Sequence, residues 1–131
     1  MHYVIDASAV VQLCLSRDGF GPLGEHDLIA PHLLWSEATS ALRELAWRGE
    51  ISRALAQAGL ARLESAPVMA RDLPRGHRMA YEIAERLGWA RTYDAEYVAL
   101  AVTDRRVLLT VDARLRRRVS TLVEVAGLGD V

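Results

Sequence analysis

Apolar residues along this chain fall alternately into short continuous runs and into stripes of helical period. Tyr3 to Ile5 make an apolar run that ends on a carboxylate, Asp6. From Ser8 to about Arg17 the spacing of Val10, Val11, Cys14 and Leu15 is that of a helix buried on one side. "RDGFGPLGEHD" is rich in glycine and charge and reads as a loop. "LIA" is a short strand closed by Pro31, a residue suited to the first turn of a helix. Leu34, Ala38, Ala41 or Leu42, and Leu45 repeat helically between His32 and Arg48, and Gly49 stands where a helix ends. Ile51 to Leu63 predicts another amphipathic helix with Ser52 as its cap. "APVMARDL" has the character of a strand, and Pro74 to Gly88 that of a helix. Thr92 is expected to cap "YDAEYVALAVTD", apolar on most sides and so predicted to be a buried helix. "RVLLTV" is the clearest buried strand, "DARLRRRV" a short helix and "TLVEVAG" a final strand.

Strands alternating with helices imply right-handed crossovers and a mainly parallel sheet with helices on both faces. No repeat, linker or low-complexity segment interrupts the pattern. The expectation is a single α/β domain of three layers over residues 1–131.

Composition narrows the function by exclusion. Hydrophobic residues make up 51% of the chain and charged residues 25%, the balance of a globular domain. Its apolar stretches are too short to span a membrane, its N-terminus has no signal-peptide character, and its one cysteine, Cys14, suits the reducing cytoplasm. All 16 basic residues are arginine. Without a lysine there is neither a phosphate loop of the Walker type nor a Schiff-base enzyme. No glycine fingerprint for a dinucleotide follows a strand, and four scattered histidines with one cysteine do not make a zinc site.

Four carboxylates stand in unusual places. Asp6 and Asp112 each end or follow a hydrophobic strand and precede a helix, the position that lines the ligand crevice of open α/β sheets. Helix capping explains either one alone. Glu37 lies three residues after Leu34 and four before Ala41, on or beside an apolar stripe; a boundary glutamate reaching out to water is the alternative. Asp94, in the first turn of the most buried helix, is aligned with Tyr97, Val98 and Ala101, although a helix dipole also favours an acid there. Four carboxylates converging on one sheet edge repel one another and raise their pKa values. Oxygen ligands alone suit Mg²⁺ or Mn²⁺, which activate water and stabilise charge on a phosphodiester.

"VIDASAVV", "LLWSEATSAL", "TYDAEYVALA" and "LLTVDARL" resemble, in this order, the signature segments of PIN-domain nucleases, and length and order are most similar to VapC toxins of bacterial toxin–antitoxin pairs. The resemblance implies a sheet between helices and a Mg²⁺- or Mn²⁺-dependent endoribonuclease that leaves 5′-phosphate and 3′-hydroxyl ends. It places Asp6, Glu37, Asp94 and Asp112 as the acidic quartet, catalytic and metal-ligating, with Ser8 and Thr110 as supporting hydroxyls. It also implies a cognate VapB-like antitoxin, a homodimer, and transfer or ribosomal RNA as the substrate.

"ARLRRRV" after Asp112 offers Arg114, Arg116 and Arg117, with Arg118, as contacts to an RNA backbone; a solvated basic helix is the alternative. Arg91 and Arg43 are further candidates. Trp35, Trp47 and Trp89 either stack on bases or pack in a core or a dimer. The connection "TDRR" is tighter than is usual in such proteins, and Glu96 is expected on a different helix side from Asp94. The competing function is a catalytically silent PIN-like module that binds RNA or protein. A receiver domain lacks its lysine here, and a phosphatase of the haloacid dehalogenase type lacks the second acid of its Asp-x-Asp.

Overall fold

Tyr3, Val4 and Ile5 are almost wholly buried, and in the computed structural model, which describes residues 1–131, they form the middle of the sheet. β1 is His2–Ile5, β2 Asp27–Ala30, β3 Met69–Ala70, β4 Val107–Leu109 and β5 Val125–Ala126. All pair in parallel in the order β3-β2-β1-β4-β5. The central strands are apolar on both sides because helices cover both faces. Six helices do so: α1 (Ala7–Leu15), α2 (Leu33–Trp47), α3 (Arg53–Glu64), α4 (Gly76–Leu87), α5 (Tyr93–Asp104) and α6 (Ala113–Val119).

The strand order sets the layers. From β1 the chain steps outward through β2 to β3, then returns across the sheet to β4 and on to β5. Right-handed crossovers therefore put α1, α2 and α3 on one face and α4, α5 and α6 on the other. α1, α2 and α3 pack on one another, whereas α4 packs on α5 and α5 on β1 and β4. The winding reverses between β1 and β4, so a crevice opens at their carboxyl ends. The β1–β4 register matches Ile5 with Leu109, which brings Asp6 level with the residues that follow β4.

Local signals explain some helix ends and not others: Thr92, the expected cap of α5, makes no side-chain cap hydrogen bond. The Ser52 side chain accepts from the Leu55 amide at 3.0 Å and caps α3. Gly88 ends α4 in the left-handed region, with φ 72°. Arg105 ends α5 at φ 53°, so the tight "TDRR" turn is closed by an arginine in a conformation that favours glycine. Gly59 lets α3 approach its neighbours: an added Cβ would lie 3.1 Å from Leu15 and 3.2 Å from Leu42.

Several sequence expectations shift. α2 begins at Leu33 and α4 at Gly76, so neither Pro31 nor Pro74 opens its helix. β3 and β5 have only two residues each, where longer strands were expected. The glycine-rich loop contains a 3-10 turn, Gly21–Leu23, that inserts Leu23 into the core. A second such turn closes the chain at Leu128–Asp130. In α1 the fully inward residues are Ala9, Val10, Leu13 and Cys14; Val11 and Leu15 are half-buried. Burial pushes the Cys14 thiol up to about 11, which leaves it inert.

Candidate active site

Asp6 is both a helix cap and a cross-strand tie. Its Oδ1 accepts from the Ala9 amide at 3.0 Å and from the Ser8 hydroxyl at 2.7 Å. Its Oδ2 accepts from the Thr110 hydroxyl. The Asp6 amide donates to the Leu109 carbonyl at 3.1 Å. Ser8 Oγ in turn accepts from the Val111 amide at 3.2 Å, and Thr110 Oγ1 from the Asp112 amide at 3.1 Å. Each hydroxyl has one hydrogen, and both are given to Asp6. The 3.2 Å contact between the two hydroxyl oxygens thus has no hydrogen of its own. Asp6 is one of only two polar residues that are fully buried, and Thr110 is the other. Burial raises the Asp6 pKa against these hydrogen bonds, and the Asp94 charge adds to the rise.

Asp112 caps α6, its Oδ1 accepting from the amides of Arg114 at 2.9 Å and Leu115 at 3.1 Å. Its other oxygen has no protein donor. Glu37, on α2, is half-buried and accepts at Oε1 from the Tyr97 hydroxyl at 2.6 Å. Burial raises its pKa, the Tyr97 bond opposes the rise, and Asp94, Asp6 and Glu96 reinforce it. Asp94 has no hydrogen-bond donor; burial and the Asp112 charge raise its pKa. Asp6, Glu37 and Asp94 therefore each feel the charge of at least one other acid of the group.

Glu37, Asp94 and Asp112 line one cleft of about 450 Å³, while Asp6 sits buried behind it. No three acidic, histidine or cysteine side chains are gathered tightly enough to cage an ion as they stand. The donor set nevertheless fits a hard divalent cation in kind. Glu37 Oε2, both oxygens of Asp94 and Asp112 Oδ2 are carboxylate oxygens without protein donors, and Mg²⁺ commonly takes one or two carboxylates and keeps several waters.

The arginine run is divided by helical phase. Leu115 and Val119 bury α6. Arg114 and Arg118, four residues apart, both line the acidic cleft with Arg91. Arg116 turns instead to Asp130 at 3.3 Å, and Arg117 lies outside the cleft lining. Trp89 lines the cleft beneath Arg118, whose guanidinium carbon is 6.0 Å from the ring centre. Trp35 packs against the core, Trp47 is 75% exposed, and Arg43 lies in the groove between α2 and α3. Glu96 is half-buried in a neighbouring cleft, with His77 3.8 Å away, and close enough to raise the pKa of Glu37. Tyr97 was not singled out for its hydroxyl in the sequence. A tyrosine within an otherwise apolar helix, three residues after an unexplained acid, was the available signal.

No protein-family model matches the chain, and no curated protein sequence matches it. Solved structures do. The chain is similar to PAE2754 from Pyrobaculum aerophilum, with a TM-score of 0.78 at 26% identity over 98% of this chain and 90% of that one. It is similar also to VapBC2 from Rickettsia felis, solved with a DNA fragment from its promoter (TM-score 0.66, 12% identity, 97% and 98% covered). A PilT N-terminus domain protein, SSO1118 from Sulfolobus solfataricus, matches at a TM-score of 0.53, with 16% identity over 98% and 88% of the two chains. Element order, parallel sheet and structural likeness together give this chain the fold of the PilT N-terminus, or PIN, domain.

Proposed function

We propose that the chain is a metal-dependent endoribonuclease and the VapC-like toxin of a toxin–antitoxin pair. The observation that carries this reading is the tie between Asp6 and Thr110 behind a cleft lined by Glu37, Asp94 and Asp112. Structural capping accounts for one oxygen of Asp6 and one of Asp112. It does not account for the half-buried Glu37, whose carboxylate shares one cleft with those of Asp94 and Asp112, and crowding carboxylates together without a counter-charge is costly.

Glu37, Asp94 and Asp112, with Asp6 behind them, would hold Mg²⁺ or Mn²⁺. Such an ion lowers the pKa of bound water and polarises a phosphoryl oxygen. The protein does the rest. Ser8 and Thr110 fix the Asp6 carboxylate, and Tyr97 fixes Glu37. Asp112 ties the site to α6, which carries Arg114 and Arg118 toward the substrate phosphates. Water adds to the phosphorus as the bond to O3′ breaks, leaving a 5′-phosphate and a 3′-hydroxyl.

The toxin role draws support from fold neighbours in Rickettsia felis and Haemophilus influenzae that are named as VapBC assemblies. On this reading the partner is a VapB-like antitoxin whose amphipathic segment brings an arginine to the carboxylates. The substrate is a transfer or ribosomal RNA loop, the toxin is a cytoplasmic homodimer, and no helix is long and apolar enough to cross a membrane. A second reading, a silent RNA- or protein-binding module, is favoured by the absence of three tightly gathered ligands.

The deciding experiment is incubation of the purified chain with structured RNA and Mn²⁺, followed by analysis of the ends. New 5′-phosphates that EDTA suppresses support the nuclease; RNA bound but intact supports the module. Co-expression of the gene just upstream should relieve growth arrest if that gene encodes the antitoxin, and failure to bind or rescue removes the toxin role alone.

A further inference from the structure

Part of the cleft lining is not acidic. Arg91, Tyr93, Arg114 and Arg118 border the same space as Asp94 and Asp112, together with the half-buried ring of Trp89. None of the three arginines makes an ion pair, although carboxylates share their cleft. Arg118 is steadied by the Trp89 ring instead, a contact that holds a guanidinium without using its hydrogen-bonding edge. Tyr93, next to Asp94 in the first turn of α5, is 52% exposed. A large ring left in water beside a polar site, flanked by uncommitted guanidinium groups, suits a ligand with an aromatic face and phosphates.

We propose that this wall is the subsite for one unpaired nucleotide of the RNA strand, with its base stacked on Tyr93 and its flanking phosphates held by Arg114 and Arg118. The inference rests on the nuclease reading, which already takes an RNA loop as substrate, and adds to it the residues that hold one of its unpaired nucleotides. Stacking needs a base whose face is free, which a duplex does not offer. The cleft, about 450 Å³, is of the size that holds one small ligand. Guanidinium groups meet phosphate oxygens bidentately, and such contacts position a strand without reading its sequence. The grip on RNA thus belongs to the face of α6 that carries Arg114 and Arg118. Arg116, which meets Asp130, and Arg117 stand apart from it.

The test is fluorescence anisotropy in EDTA with a labelled single-stranded uridine octamer and, as the duplex, a labelled fully paired G·C-rich RNA. The single strand is expected to bind at least about tenfold more tightly than the duplex. Tyr93→Ala should weaken single-strand binding by about tenfold, and Tyr93→Phe should restore it. Arg114→Ala and Arg118→Ala should each flatten the salt slope by about 0.7, and Arg116→Ala should leave it as in the wild type. Thermal unfolding of each variant checks that the fold is kept. No binding of the octamer, equal binding of the duplex, or wild-type binding by folded Tyr93→Ala overturns the proposal. The nuclease reading is separable from it. Tyr93-dependent binding without cleavage on adding Mn²⁺ leaves the subsite and removes the nuclease; cleavage with an unchanged KM in Tyr93→Ala does the reverse.

Discussion

Tyr97, wholly buried in α5, gives its phenolic hydrogen to Oε1 of Glu37 on α2 at 2.6 Å. The two residues come from opposite helical layers and meet at the sheet edge. Burial and the Glu37 charge push the phenol far above its ordinary range, so it stays a donor at any physiological pH. Tyr97→Phe removes the hydroxyl group, and with it the hydrogen bond to Glu37, at little change in volume. It is expected to lower stability by about 1.5–3 kcal/mol, the worth of a hydrogen bond to a charged group. It should also raise the Glu37 pKa further and weaken Mn²⁺ binding at acid pH, with recovery as pH rises. Urea unfolding and calorimetric titration with Mn²⁺ check both effects.

Burial and mutual repulsion raise the pKa values of Asp6, Glu37 and Asp94. A carboxyl whose folded pKa exceeds its unfolded value binds more protons when folded. Its contribution to stability is therefore complete below about pH 4 and is lost as pH rises through the folded value. Asp27, Asp72 and Asp130 are shifted down and act in the opposite sense, but they are exposed, and solvent screens them. Without metal, Asp94→Asn should thus melt at a higher temperature than the wild type at pH 7, and the gap should close toward pH 4. Mn²⁺ should stabilise the wild type at pH 7 and have little effect on Asp94→Asn. Melting curves at the two pH values, with and without Mn²⁺, measure this; a variant that melts lower at pH 7 returns Asp94 to a purely dipole-pairing role.

The Thr110 hydroxyl serves two partners at once, donating to the buried Asp6 and accepting from the Asp112 amide. Thr110→Val keeps the shape and leaves both groups short of a partner, at an expected cost of about 2–3 kcal/mol. Thr110→Ser keeps the hydroxyl and loses one methyl group, for about 1 kcal/mol. Denaturant midpoints for the pair separate the hydrogen bonds from the packing.

Arg105 holds a left-handed conformation at the end of α5, and its amide bonds to the carbonyls of Ala101 and Val102. It is exposed and makes no ion pair. Arg105→Gly should therefore raise stability by about 0.5–1 kcal/mol, because the strain relieved exceeds the extra chain entropy. A thermal melt that shows loss instead would mean that the arginine stem packs on α5 to more effect than its backbone costs.

How much of this was legible in the sequence depended on how local each signal is. The caps at Ser52 and Asp112 and the stop at Gly88 lie within a few residues of what they act on, and each was readable. The parallel sheet and the shared edge of Asp6 and Asp112 followed from the alternation of strands and helices. β3 and β5 were overdrawn because two-residue strands leave almost no periodic trace, and Leu23 was missed because glycine and charge surround it. The split between Arg114 and Arg116 needs the docking angle of α6, which Leu115 and Val119 set only once the sheet is in place. Tyr97 read as core, and it is core; its hydroxyl gained a partner from a helix 60 residues away in sequence.

Asp6, Glu37, Asp94 and Asp112 are expected to act as one ion-binding hydrolytic centre. The most direct measurement pairs calorimetric titration of Mn²⁺ with RNA cleavage, on wild type, Glu37→Gln, Asp94→Asn and Asp112→Asn. The wild type is expected to bind Mn²⁺ and cut RNA, and each single variant to bind the ion more weakly and lose the cut while remaining folded. Cleavage undiminished by chelation, or a folded variant that cuts RNA as the wild type does, would contradict it.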